Sequence, residues 1–237
     1  MASSPANRHT LGDRLAALRD PELRVRYVQH ELRRLSPEEV VELLALASGR
    51  ASLRSRPHPE LFLALTVALS DLPDIRAQVR QAAANRGQAE VLQLLQRPDP
   101  ENAPVRKTPE RGGRPLTLGE RKALARRNDR DLIARALRDP HPDVIAILLG
   151  NPTVTEDDIV RMCARRPLEE ATVRVVFRHT KWIVRYRVRR ALALNPNTPL
   201  DVSLPLAPQL TASDRRLVAS SEELASELRA ACRTSLQ

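Results

Sequence analysis

The sequence predicts an all-α protein, an irregular α-solenoid of stacked helical hairpins in two helical blocks joined by a Pro-rich linker. Three observations predict it. Only seven Gly and five aromatic residues occur in 237, while alanine and leucine are abundant, a composition of helices rather than sheets. Ser or Thr followed three residues later by an acid marks helix starts along the whole chain. A helix–turn–helix phrase also recurs.

The length allows one or two domains with a buried core. In the first block, residues 1–97, capping pairs occur at Thr10–Asp13 and Ser36–Glu39, with Pro37 at the first helical position. Gly49 and Gly87 suit left-handed helix ends. Leu61 to Ser70 is the most apolar run, but its ten residues are roughly half of a membrane span. Met1-Ala2-Ser3-Ser4-Pro5 shows no apolar run behind a basic start, so the expectation is a cytoplasmic protein without membrane insertion. Residues 98–116 carry Pro98, Pro100, Pro104, Pro109, Pro115 and Gly112-Gly113, which neither helix nor core tolerates; they read as the linker. In the second block, residues 117–237, the pairs are Thr117–Glu120, Thr155–Asp158, Thr198–Asp201, Thr211–Asp214 and Ser220–Glu223. Asp is shorter than Glu, so some of these are expected to be plain N-caps. Pro199 opens a helix and Asn195-Pro196 ends one.

The recurring phrase is Ala17-Leu18-Arg19-Asp20-Pro21, found again at Ala136-Leu137-Arg138-Asp139-Pro140; Asn151-Pro152 likewise recurs as Asn195-Pro196. Each unit is a helix, a turn at Asp-Pro or Asn-Pro, and a second helix. Such a hairpin cannot bury its apolar face alone and must stack on a neighbour. The stretches Asp139-Pro140-His141-Pro142-Asp143-Val144 to Leu149-Gly150-Asn151-Pro152, and Arg187 to Pro199, resemble leucine-rich-repeat-variant and HEAT-like bacterial repeats over roughly residues 117–237, and faintly over 17–45. The resemblance implies a superhelical binding scaffold and identifies no active residue.

Charge is uneven. Residues 1–104 carry 14 Lys and Arg against 13 Asp and Glu, whereas residues 105–237 carry 25 against 16. Residues 161–190 hold ten basic groups and only Glu169 and Glu170 as acids. The preference for Arg over Lys fits a GC-rich genome; the clustering needs another reason. A helix from Trp182 places Val184, Val188, Ala191 and Leu192 on one stripe. Trp182, Tyr186, Arg189 and Arg190 then face outward, with Arg185 at the edge and Arg174 and Arg178 one turn apart on their own helix. These seven form the candidate partner-binding face. Arginines beside aromatics bind phosphates and stack on bases, and they also anchor protein interfaces. Trp182 equally fits a gap-filling role against the next repeat, and outward arginines a solvated face.

Catalysis finds little support, and a HEAT-like DNA glycosylase-type enzyme is a distant third reading. GxSxG, HExxH, Walker and GxGxxG patterns are absent, no cofactor is implied, and the two cysteines, Cys163 and Cys232, form no CxxC metal site. Cys163 reads as a small core residue, and His141 and His179 as ordinary polar residues. HEAT-like DNA glycosylases need an acid beside aromatics; the nearest acids, Asp129 and Asp131, have none near them in sequence. The expected function is therefore a protein-interaction adaptor for an acidic protein partner, with nucleic-acid binding through the same face as the alternative.

Overall fold

A computed structural model describes residues 11, 14, 15, 17–48, 59–95 and 116–236. The expected Thr10–Asp13 pair, the Gly49 cap and residues 98–115 of the expected linker lie outside these. Among the described residues there are fifteen α-helices and no strand. The chain divides into two units, Met1–Arg97 with Leu204–Gln209, and Pro98–Ser203 with Leu210–Gln237.

The first unit contains α1 (Pro21–Leu32), α2 (Pro37–Ala47), α3 (Pro59–Ser70), α4 (Pro73–Asn85) and α5 (Ala89–Leu95). The apolar run becomes α3, with every residue from Leu61 to Leu69 buried because α1, α2 and α4 all pack on it. A helix apolar all round belongs at the centre of a core. Thr66, its one polar side chain inside, returns its hydroxyl to the Phe62 and Leu63 carbonyls at 3.0 Å. No helix among the described residues is long and apolar enough to cross a membrane. Ser36 and Glu39 form the full capping box under α2. Gly87 follows α4 at φ +63°, and the Gln88 N–H reaches back to the Ala83 carbonyl at 3.0 Å, closing the helix end as expected.

The second unit runs through α6 (Leu118–Ala125), α7 (Arg130–Ala136), α8 (Pro142–Leu149), α9 (Glu156–Cys163), α10 (Glu170–Arg178), α11 (Thr180–Ile183) and α12 (Tyr186–Ala193). Next along the chain is α13 (Leu200–Leu206), of which only residues up to Ser203 belong to this unit, and then α14 (Ala212–Ser220) and α15 (Ser226–Thr234). Packing skips along the chain: α6 meets α8, α8 meets α10, and α9 meets α12. Val144, Ile145, Leu148 and Leu149 of α8 and Ile159, Met162 and Cys163 of α9 lie at or near zero exposure, so each helix buries one stripe.

Two polar devices recur with this packing. The buried Asn151 amide donates to the Ala125 and Arg127 carbonyls at 3.0 and 2.9 Å, and its oxygen accepts the Thr153 N–H at 2.9 Å. Asn195 repeats all three contacts, donating to Cys163 and Arg165 at 2.7 and 2.8 Å and accepting from Asn197 at 2.9 Å. The Asn of each Asn-Pro thus ends its own helix and also satisfies orphan carbonyls at the end of an earlier one. The second device is a shared carboxylate. Thr155 and Asp158 form a capping box, and the same Asp158 takes the two-pronged Arg130 guanidinium at 2.8 and 3.0 Å. Hydrogen bonds from Arg130, then from Thr155, outweigh burial and hold the Asp158 carboxyl well below the usual carboxylate range. Such a group contributes stability in full above the ordinary 3.8, and loses it as pH falls below that value toward the depressed folded one. Asp158→Asn should therefore flatten the acid limb of a stability–pH curve; a limb as steep as wild type would remove Asp158 as a source of acid sensitivity.

One of the expected caps, Ser220–Glu223, needs correction. Ser220 ends α14 rather than starting a helix, its hydroxyl returning to the Leu217 carbonyl at 3.0 Å, and the next helix begins at Ser226. Its acid, Glu223, pairs with Arg166 instead. Thr198 is buried and donates to the Leu192 carbonyl at 2.7 Å, tying its turn to the end of α12. The Thr117–Glu120 box forms, and Thr211 accepts the Asp214 N–H.

Candidate binding surface of the second unit

The expected continuous helix from Trp182 is broken. His179 and Arg185 both have extended backbone, with ψ of 102° and 123°, so α11 is a single turn and α12 restarts at Tyr186 in a new phase. Val188 and Leu192 keep the inward stripe, joined by Ala193, whereas Val184 and Ala191 are half-buried.

The break turns Trp182 inward. It is 2 % exposed, and its indole N–H donates to the Leu149 carbonyl at the end of α8 at 2.8 Å. The Lys181 ammonium lies 4.4 Å from the ring centre. The outward placement of Trp182 is thus corrected: it packs the core and caps a helix. Arg174 is also internal. Its guanidinium, 15 % exposed, reaches the fully buried Asp201 carboxylate at 2.6 and 3.1 Å and Glu170 at 2.6 and 3.0 Å. Burial alone would lower its pKa, but Asp201 and Glu170 outweigh burial and raise it.

Tyr186 and Arg190 converge on α14. The Tyr186 hydroxyl donates to Asp214 and accepts the Thr211 N–H at 3.1 Å, serving the backbone group that a capping acid usually serves. Arg190 meets the same Asp214 at 2.8 Å. Burial pushes the Asp214 carboxyl up, yet these hydrogen bonds bring it below its ordinary value. Arg189 lies 5.9 Å from the Tyr186 ring. Arg185 is exposed with Glu156 at 4.0 Å, and Arg178 is exposed at the end of α10. The seven residues therefore do not make one open face. Phe177, the third aromatic of the segment, is buried as well.

The charge excess of residues 161–190 finds its physical reason here. Arg166, Arg174, Arg185, Arg187 and Arg190 meet Glu223, Asp201, Glu156, Asp157 and Asp214, all outside the segment. Folding supplies the acids that the linear sequence withholds. The remaining suspects are also structural. Asp129 caps α7 by accepting the Asp131 and Leu132 N–H groups. His141 caps α8 through Nδ1. Cys163 is buried, and burial pushes its thiol up to about 12.

A different set of arginines stays without an acid among the described residues. Arg138 follows α7, Arg161 lies on α9, and Arg165 follows α9 one turn later. Arg130 on Asp158 ties the start of α7 to the start of α9. Burial, and then the neighbouring Arg138 charge, lower the Arg165 pKa. Asp139, the nearest acid in sequence, is 9 % exposed and already holds Arg121 at 2.6 Å and the His141 N–H at 2.8 Å. Arg138 lies outside the basic segment of residues 161–190. Neither a scan against protein-family models nor searches of curated proteins and solved structures return a match.

Proposed function

We propose that this chain is a non-catalytic binding scaffold, an irregular α-solenoid of the leucine-rich-repeat-variant or HEAT-like kind, whose second unit engages an acidic segment of a protein partner. The skip-wise packing of α6 on α8, α8 on α10 and α9 on α12 supports the solenoid reading, as do the matching Asn151 and Asn195 contacts. One observation carries the choice of partner. Arg138, Arg161 and Arg165 make no ion pair among the described residues, while the aromatics of the basic segment are engaged inside the unit. Binding to single-stranded nucleic acid draws on exposed aromatic platforms as well as charge, whereas an acidic protein segment needs the guanidiniums alone.

Affinity capture on the full chain, repeated after nuclease treatment, tests this reading. A protein partner should be retained after nuclease and released by salt, because a contact made of exposed charges is screened. Capture of nucleic acid alone, with every protein lost on nuclease treatment, would make the nucleic-acid alternative the function.

A further inference from the structure

We infer that the exposed stripe of α14 centred on Arg216 and Leu217 is a docking surface that takes the acidic first turn of a helix in a partner protein. The inference rests on the proposed acidic partner and adds where it docks and in what form; it does not draw on Arg138, Arg161 or Arg165. The chain itself supplies the template twice. Arg130 of α7 holds Asp158 on the first turn of α9 at 2.8 and 3.0 Å, and Arg174 of α10 holds Asp201 on the first turn of α13 at 2.6 and 3.1 Å. Helix α14 matches α10 position for position. Arg174 and Arg216 are each the fifth residue of their helix, Val175 and Leu217 the sixth, and Val176 and Val218, both 0 % exposed, the seventh. Arg174 is 15 % exposed under its carboxylates, and Val175 is half-buried. Arg216 is exposed and makes no ion pair among the described residues, and Leu217 is 45 % exposed. Thus α14 presents the arginine and apolar neighbour that α10 has, without a carboxylate to meet the arginine.

Position decides what the stripe can bind. Ser213, Arg216, Leu217 and Ser220 follow the i, i+3, i+4, i+7 spacing of one helical face, and all four are exposed. Asp214 lies about 200° round the helix from Arg216, at about 100° per residue, where Tyr186 and Arg190 hold it. It therefore neither neutralises Arg216 nor blocks the stripe. The small hydroxyls of Ser213 and Ser220 leave room for an approaching helix. A guanidinium takes a carboxylate by two-pronged hydrogen bonds, as in both templates, and Leu217 beside it covers apolar surface that a phosphodiester chain does not offer. A Ser or Thr three residues ahead of the acid fixes the carboxylate at the positive end of its own helix, as Thr155 fixes Asp158. The partner segment is thus a helix start of the form Ser/Thr-x-x-Asp/Glu, the pattern of Thr155–Asp158 and Thr198–Asp201.

The test is fluorescence anisotropy with the full chain and a labelled peptide of residues 153–166, which carries the Thr155–Asp158 start that Arg130 of α7 holds inside the molecule. Arg216→Ala should weaken binding about fivefold, on the scale of one ion pair. Arg233→Ala removes an exposed arginine of α15 that also makes no ion pair among the described residues, and should cost less than about twofold. Asp158→Asn in the peptide should lose as much as Arg216→Ala, and the two together no more than either, the coupling expected of groups in contact. Arg216 has no ion pair to lose, so melting should match wild type. Should the variant melt early, the Asp158→Asn peptide on the wild-type chain carries the test, and unchanged binding then overturns the proposal. Equal weakening by Arg216→Ala and Arg233→Ala would overturn the stripe and leave an acidic partner in place. A ten-residue polyglutamate bound as tightly as the peptide would overturn the helix start and likewise leave the acidic partner. Binding to neither probe would overturn both. Self-association of the chain alone in sedimentation, abolished by Arg216→Ala, would assign the stripe to a second copy and overturn the foreign partner.

Discussion

Trp182→Ala is expected to lower stability by about 3–5 kcal/mol, the usual cost of truncating a large buried aromatic. The indole is 2 % exposed, and its loss also strips the Leu149 carbonyl of the donor it meets at 2.8 Å. Urea unfolding followed by circular dichroism measures the effect. Trp182→Phe keeps most of the volume but not the N–H, so the gap between the two variants separates packing from capping. A folded Trp182→Ala protein with wild-type stability would show that the ring packs nothing, and would return Trp182 to the open face that the helical wheel suggested.

Asp201→Ala has the second-largest expected effect, about 3 kcal/mol, at the lower end for breaking a buried pair because Arg174 retains Glu170. Asp201 has a fully buried side chain, and Arg174 is 15 % exposed, so water cannot replace the lost carboxylate. The fitting contrast is Asp157→Ala. Asp157 and Arg187 are 55 % and 59 % exposed, and an exposed pair is worth under about 1 kcal/mol. Equal midpoints for the two variants in urea would mean that burial does not govern these bridges.

What the sequence made legible was local. Helix class, the boxes at Ser36, Thr117 and Thr155, and the left-handed cap at Gly87 depend on residues within a turn of one another, and all are present. Ser220 misled because Ser-Ser-Glu-Glu matches a capping pattern that a helix end also tolerates. Trp182 misled because the wheel assumed one helix across Val184-Arg185, where tertiary packing imposes a break. The candidate site was legible as a segment and not as a surface. Its excess charge is balanced by acids 24 to 57 residues away, and no local pattern carries that information.

The paired asparagines also set an order of completion on the ribosome. A nascent chain emerges from its N-terminus, so the carbonyls ending α6 wait for Asn151, 24 and 26 residues later. Those ending α9 wait 30 and 32 residues for Asn195. Each stretch is thus sealed by the one synthesised after it. A product ending between Arg174 and Leu194 leaves the carbonyls at the end of α9 without Asn195 and Arg174 without Asp201. Premature termination inside this unit therefore removes the residues that close what has already been made.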